Sequence, residues 1–169
     1  MSKIGFIGLG IMGKPMAKNL LKAGVELLVC DLNEEAVKEV TMAGAEAGSY
    51  AQIGEQCEII FLILPNGDIS KSVLFDENGV ASALTPGKIV CDMSSVTPVE
   101  SKECFDRLME QGVGFVDAPV SGGEPGAVGG TLAFMAGGRQ EDFDALTPYF
   151  EIMGSSAVRI GDSGSGSVT

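Results

Sequence analysis

The 169-residue chain contains no histidine. Imidazole acid–base chemistry and most histidine-containing zinc sites are therefore excluded. Its four cysteines, Cys30, Cys57, Cys91 and Cys104, form no Cys-x-x-Cys pair. Most stand in or beside apolar runs, the setting of buried, reduced thiols. Positive charge is scarce. Eleven Lys and Arg face 23 Asp and Glu, a net charge of −12, and the basic residues are scattered singly. Such a surface repels nucleic acid and reads as an ordinary acidic exterior. No apolar run is long enough to cross a membrane. Met1-Ser2-Lys3 leads straight into an apolar strand rather than a signal or transit peptide, so a cytoplasmic location is the expectation. No internal repeat or low-complexity segment is present.

What the chain does have is alternation. Strand-like runs at Lys3–Ile7, Glu26–Cys30, Glu58–Leu64, Lys88–Cys91, Val113–Val116, Thr131–Ala136 and Ala157–Ile160 are separated by helical patterns. The helices are expected at Ile11–Lys22, Glu34–Ala43 with Asn33 as cap, Tyr50–Glu55, a short stretch after Asp68, Pro98–Glu110 with Thr97 as cap, and Glu141–Met153. The unbroken apolar run at 58–64 suits a strand buried on both faces. The fold class expected is α/β: a Rossmann-type doubly wound, mostly parallel sheet with helices on both faces. Residues 1–161 read as one dinucleotide-binding domain and 162–169 as the start of a linker or helix.

Gly8-Leu9-Gly10-Ile11-Met12-Gly13 is a G-x-G-x-x-G that follows the first strand and opens the first helix. Gly8 permits the tight turn, Gly10 lets a pyrophosphate approach the backbone, and Gly13 lets helix pack closely on strand. The helix N-terminus offers free N–H groups to phosphate. Asp31 ends the second strand, where a carboxylate can accept hydrogen bonds from adenosine ribose hydroxyls. It would repel a 2′-phosphate, and Leu32 rather than an arginine follows it. NAD is the expected cofactor; NADP is the alternative, with Lys38 as the residue that would favour it.

In such a sheet the ligand lies outside the carboxyl ends of the strands. Those ends read Leu64-Pro65-Asn66, Asp92-Met93-Ser94-Ser95 and Asp117-Ala118-Pro119-Val120-Ser121-Gly122-Gly123. The first is equally an ordinary turn, and Ser94-Ser95 equally a helix cap. Ser121, Gly122 and Gly123 present N–H donors and a hydroxyl that suit a carboxylate, although a flexible loop has the same composition.

Taken together, the chain resembles the 3-hydroxyisobutyrate dehydrogenase (β-hydroxyacid dehydrogenase) family. Gly5 to Gly13, continuing through Pro15-Met16-Ala17 and Asn19-Leu20, matches that family's cofactor motif. Asp117 to Gly123 matches its substrate motif, and Gly164-Ser165-Gly166 the start of its catalytic motif. Within the family, Gly122-Gly123-Glu124-Pro125 and Leu64-Pro65-Asn66 look most like the tartronate semialdehyde reductase branch. The resemblance implies that the glycine loop (Gly8, Leu9, Gly10, Ile11, Met12, Gly13) and Asp31 hold the adenosine and pyrophosphate. Leu64, Pro65, Asn66 and Ser95 would border the nicotinamide, and Ser121, Gly122 and Gly123 would hold the carboxylate of a small substrate. It also implies a catalytic lysine directly after Thr169, and an asparagine one turn later, so that no catalytic residue is expected within this chain. A helical C-terminal domain through which the full-length protein forms a homo-oligomer is implied as well, and its loss would expose apolar surface.

Rival arrangements fit less well. A short-chain dehydrogenase needs Tyr-x-x-x-Lys, but Tyr50 is followed four on by Gly54 and Tyr149 by Met153. Lactate- and malate-type enzymes need a histidine. A 6-phosphogluconate-type enzyme shares Ser-Gly-Gly but differs before the serine. A stand-alone dinucleotide-sensing module is the reading from another class.

Overall fold

The computed structural model describes residues 3–162. The strands are Lys3–Ile7 (β1), Leu27–Cys30 (β2), Glu46–Ala47 (β3), Cys57–Leu62 (β4), Ile89–Asp92 (β5), Gly114–Asp117 (β6), Val120–Ser121 (β7), Leu132–Gly137 (β8) and Gly154–Gly161 (β9). The helices are Gly13–Lys22 (α1), Glu34–Met42 (α2), Tyr50–Gln56 (α3), Gly67–Phe75 (α4), Pro98–Met109 (α5), Gly123–Gly129 (α6) and Gln140–Met153 (α7), with a 3₁₀ turn at Val80–Ala83.

One sheet runs in the order β3-β2-β1-β4-β5-β6-β8-β7, with β9 paired to β8. The first six strands in this order are parallel. Their sequence 3-2-1-4-5-6 is that of a doubly wound dinucleotide domain, and it reverses between β1 and β4. The expected α/β class is therefore present. The sheet is mostly parallel, as expected; its antiparallel part is β8, which runs against β6 and β7, and β9 then lies parallel to β8 as an outer strand. The pairs Asp117↔Gly137, Val120↔Phe134 and Ser121↔Ala133 keep one register, and Met135 N–H donates to the Pro119 carbonyl (3.3 Å). β6 and β7 are thus one physical strand that Pro119 interrupts without shifting.

Period-two alternation divides the buried side chains between two cores. Ile4, Phe6, Leu27, Val29, Ile59, Phe61, Cys91 and Val116 face one side, with Met16 and Leu20 of α1, Val40 of α2 and Leu146 and Phe150 of α7. Ile7, Leu28, Ile60, Leu62, Val90 and Phe115 face the other, with Ile53 of α3, Leu74 of α4 and Cys104 and Leu108 of α5. Strands apolar on both faces must be covered by helices on both, which is why crossovers here are helical.

Several boundaries differ from expectation. α1 starts at Gly13 rather than Ile11, because Gly10 to Met12 form the turn. β4 ends at Leu62, so Leu64 lies in the loop. α6 forms where only a glycine-rich stretch was read, and β9 reaches back to Gly154. The two capped helices match closely: Asn33 accepts from the N–H groups of Glu35 and Ala36, and Thr97 forms a reciprocal box with Glu100.

Lys88, 6% exposed, sends its ammonium to the carbonyls of Gly54 (2.6 Å) and Glu55 (2.7 Å) in the last turn of α3. A cation there meets the negative end of the helix dipole and supplies donors to carbonyls that lack helical partners. All four cysteines are free, and three are buried. Burial pushes the Cys57 thiol up to about 11 and the Cys104 thiol up to about 12, and raises that of Cys91 well above its ordinary value. Lys88→Met is expected to lower stability by about 1–3 kcal/mol, read as a shifted urea midpoint. Iodoacetamide at pH 8 should label Cys57, Cys91 and Cys104 only after unfolding, which peptide mass mapping checks.

Candidate dinucleotide and substrate site

Cys30, Ile7, Leu62, Asp92 and Asp117 lie side by side in a row across the sheet. The glycine loop, Asp31, Leu64-Pro65-Asn66 and Ser95 leave the sheet just past this row, and Ser121-Gly122-Gly123 follows at the end of β7. The ladder also continues beyond it, through Gly8 N–H to the Cys30 carbonyl (3.1 Å), Ile63 N–H to Ile7, Met93 N–H to Leu62 and Ala118 N–H to Asp92. The topology thus brings the glycine loop, Leu64-Pro65-Asn66, Ser94-Ser95 and Ser121-Gly122-Gly123 to one edge.

The three glycines of the loop serve three purposes. Gly8 has φ +104°, and a Cβ there would lie 2.1 Å from the Ile63 carbonyl oxygen. A Cβ on Gly13 would lie 2.0 Å from the Gly8 carbonyl oxygen and 2.9 Å from Ile63 Cγ2. A Cβ on Gly10 would meet nothing within 4 Å. Gly8 and Gly13 are thus required by internal packing, whereas Gly10 leaves open space in front of the backbone, as a site for a bulky anion needs.

Asp31 joins the glycine loop to the loop that follows β2. Its Oδ2 accepts from Leu9 N–H (2.6 Å) and its Oδ1 from Asn33 N–H (2.7 Å). The carboxylate is partly exposed, and each oxygen keeps further acceptor capacity. Ile11 in the glycine loop is 69% exposed and Leu32, next to Asp31, is 92% exposed, so two large apolar side chains stand uncovered on these loops. Lys38 is exposed on α2. The lysines bordering the groove of about 540 Å³ beside Gly10 and Asn33 are instead Lys14, Lys18 and Lys22. Lys14 (3.3 Å) and Lys18 both pair with Glu39, whose carboxyl they hold below its usual value. None of the residues predicted at the nicotinamide and carboxylate positions lines that groove.

At the other side of the switch point, Leu64 is half-buried and Pro65 and Asn66 are exposed. Asn66 Oδ1 accepts from Ile69 N–H (3.0 Å) and so caps α4. Of the serine pair, Ser95 is exposed and Ser94 is buried. Neither caps the next helix, which Thr97 does. Ser94 Oγ accepts from Leu64 N–H (2.7 Å), and Ser94 N–H donates to Asp92 Oδ1 (3.0 Å). Asp92 is 1% exposed; burial raises its carboxyl pKa, and hydrogen bonds from Ser94 and Ser70 oppose that rise. Ser121 is exposed at the end of β7, and Gly122 (φ +132°) and Gly123 (φ +59°) take positive φ as the chain turns into α6. Asn19 of α1 donates its amide to the Ala127 carbonyl (2.9 Å) near the end of α6, tying the cofactor helix to the segment behind Ser121–Gly123.

Asp92, Ser94 and Asn19 were read from the sequence only as parts of longer segments, Ser94 with Ser95 as either site or helix cap, and none was given a role of its own. A polar residue just before the end of an apolar run, and an asparagine inside an amphipathic helix, were the available signals. The Gly164-Ser165-Gly166 run and the lysine expected after Thr169 lie outside the described residues. Gly13→Ala is expected to cost about 1–3 kcal/mol through overpacking against Gly8 and Ile63, while Gly10→Ala should leave the thermal midpoint within a degree or so; a thermal melt of each variant checks the contrast.

A family model described as the NAD binding domain of 6-phosphogluconate dehydrogenase matches residues 3–161. The chain is 42% identical over 164 residues to 2-hydroxy-3-oxopropionate reductase of Escherichia coli, covering 97% of this chain and 56% of that protein. It is 44% identical over 165 residues to 2-(hydroxymethyl)glutarate dehydrogenase of Eubacterium barkeri, covering 97% and 55%. Among solved structures, 3-hydroxyisobutyrate dehydrogenase of Mycobacterium tuberculosis with L-serine superposes with a TM-score of 0.94 at 30% identity, covering 99% of this chain and 57% of that one. The chain therefore spans just over half the length of these relatives. With the cofactor loop, the sheet order and these likenesses in agreement, the chain belongs to the 3-hydroxyisobutyrate dehydrogenase family and corresponds to its N-terminal NAD(P)-binding domain.

Proposed function

We propose that this chain is the NAD-binding part of an oxidoreductase that moves a hydride between a nicotinamide cofactor and a short 3-hydroxy or semialdehyde carboxylic acid. 2-Hydroxy-3-oxopropionate is the substrate favoured, on the Gly122-Gly123-Glu124-Pro125 stretch and the likeness to the E. coli reductase. The observation that carries the cofactor reading is the unobstructed face of Gly10 beside an Asp31 carboxylate anchored by Leu9 N–H.

Each group has a definite task in this reading. The first N–H groups of α1 bind pyrophosphate, aided by the helix dipole. Asp31 accepts from the ribose hydroxyls and disfavours a 2′-phosphate, so NAD is preferred to NADP. Ile11 and Leu32 offer apolar cover to the adenine. Leu64, Pro65, Asn66 and Ser95 border the nicotinamide, whose chemistry when bound is hydride donation or acceptance. Ser121, Gly122 and Gly123 bind the substrate carboxylate through a hydroxyl and main-chain N–H groups. The family resemblance puts the proton-donating lysine after Thr169, so residues 1–169 bind and orient without turning substrate over. We take 1–161 as the binding domain; residues 163–169, where the sequence led us to expect the start of a linker, lie outside the described residues. Full-length assembly is proposed to be a homo-oligomer through the segment that follows. The free thiols suit a reducing compartment, and we place the protein in the cytoplasm.

The chain lacks tryptophan, so NADH emission can be followed without interference from the protein. Saturable binding with NADH preferred to NADPH is expected. A preference for NADPH would overturn the role of Asp31, and binding of neither would overturn the reading itself. Asp31→Asn should narrow the NADH preference by about ten-fold, through loss of one charge-assisted acceptor and of repulsion toward phosphate. Gly10→Ala should weaken NADH by at least about ten-fold while the protein melts normally.

A further inference from the structure

The loop that borders the proposed nicotinamide position is pinned from beneath by a buried polar network. Asp92 ends β5, next to Leu62 of β4 on one side and Asp117 of β6 on the other. Its main-chain carbonyl accepts from Ala118 N–H (2.9 Å), at the start of the segment leading to Ser121. Its carboxylate accepts from Ser94 N–H (3.0 Å), and the nearby Ser94 and Ser70 side chains counter the rise in its pKa that burial causes. Ser94 Oγ in turn accepts from Leu64 N–H (2.7 Å) and lies 3.4 Å from Ser70 Oγ in α4.

The direction of these bonds matters. Ser94 Oγ accepts from both Leu64 N–H and the Ser70 hydroxyl, and Ser94's own N–H is held by the Asp92 carboxylate, so the acceptor that Leu64 N–H meets is fixed in place on more than one side. Leu64 precedes Pro65, which restricts its backbone, and Asn66 is fixed by capping α4. The wall Leu64-Pro65-Asn66 is therefore clamped at its first residue by Ser94 and at its last by α4. A two-residue step in the sequence separates the buried acceptor from the row of strand ends, which is why Ser94 points at Leu64 N–H while its neighbour Ser95 is left exposed.

We infer that Ser94, backed by Asp92 and Ser70, is the positioning residue that sets the nicotinamide wall. It acts on the cofactor only through Leu64-Pro65-Asn66 and touches none of the adenosine-binding groups. The inference rests on the dinucleotide reading above, and it predicts an effect confined to one half of the cofactor.

The test compares NADH with ADP-ribose, which lacks the nicotinamide, on the 169-residue chain by titration calorimetry. The wild-type protein is expected to bind NADH more tightly than ADP-ribose. Ser94→Ala should bind ADP-ribose within about two-fold of wild type yet lose about ten-fold toward NADH, as befits one part-buried amide left without its acceptor. Ser94→Thr, which keeps the hydroxyl, should restore NADH binding. Equal losses toward both ligands would assign the serine a purely structural part and overturn the inference, as would a Ser94→Ala variant that binds NADH like the wild type. Wild-type protein that binds both ligands equally would overturn it while leaving the dinucleotide reading intact. Wild-type protein that binds neither would overturn both.

Discussion

Main chain touches main chain at the switch point. A methyl group on Gly8 would stand 2.1 Å from the Ile63 carbonyl oxygen, and one on Gly13 would stand 2.0 Å from the carbonyl oxygen of Gly8. The exits of β1 and β4 and the first turn of α1 therefore meet with no side chain between them. Protein interiors yield little to compression, so this contact sets where α1 begins relative to the sheet. The rest of the edge is placed by it. Asp31 can bond Leu9 N–H because the loop is drawn down to the sheet. α1 then carries Asn19 to the end of α6, behind the Ser121–Gly123 turn.

Much of this was legible in the amino-acid order, and the exceptions have physical causes. Strands β1, β2 and β5 were found close to their bounds because continuous apolar residues leave no alternative to burial on both faces. α2 and α5 were found because Asn33 and Thr97-Pro98 are start signals that act locally. α6 was hidden because Gly-Glu-Pro-Gly-Ala-Val-Gly has little intrinsic helical preference; the tertiary contacts of α1 and β8 hold it. Leu64 looked like strand because it is apolar, yet its N–H belongs to Ser94. That bond joins residues far apart in the sequence, and periodicity carries no information about it. In the glycine loop, the steric demands on Gly8 and Gly13 were legible from the spacing, whereas nothing in the fold itself crowds Gly10.

The ion pairs differ in their settings. Glu39 is shared by Lys14 and Lys18 at the surface, where such pairs contribute little to stability. Arg139 is different: it grips Asp142, which is 4% exposed, through two hydrogen bonds at the start of α7. Relatives named for different substrates match this half of their length at 42% and 44%.

The outermost strand carries a consequence for handling the protein. Among the described residues β9 pairs only with β8 along its eight residues, and Val158 and Ile160 are exposed on it. A long outer strand with free main-chain donors and acceptors is a template for strand addition by another molecule. Its glycines at both ends and Arg159 in the middle interrupt the template only in part. The remaining safeguard is colloidal: at −12 per chain, molecules repel one another before their edges can meet. That protection fades as ionic strength rises and the Debye length shrinks. Concentrated solutions are therefore expected to stay clear in dilute buffer and to turn turbid with added salt, the reverse of ordinary salting-in.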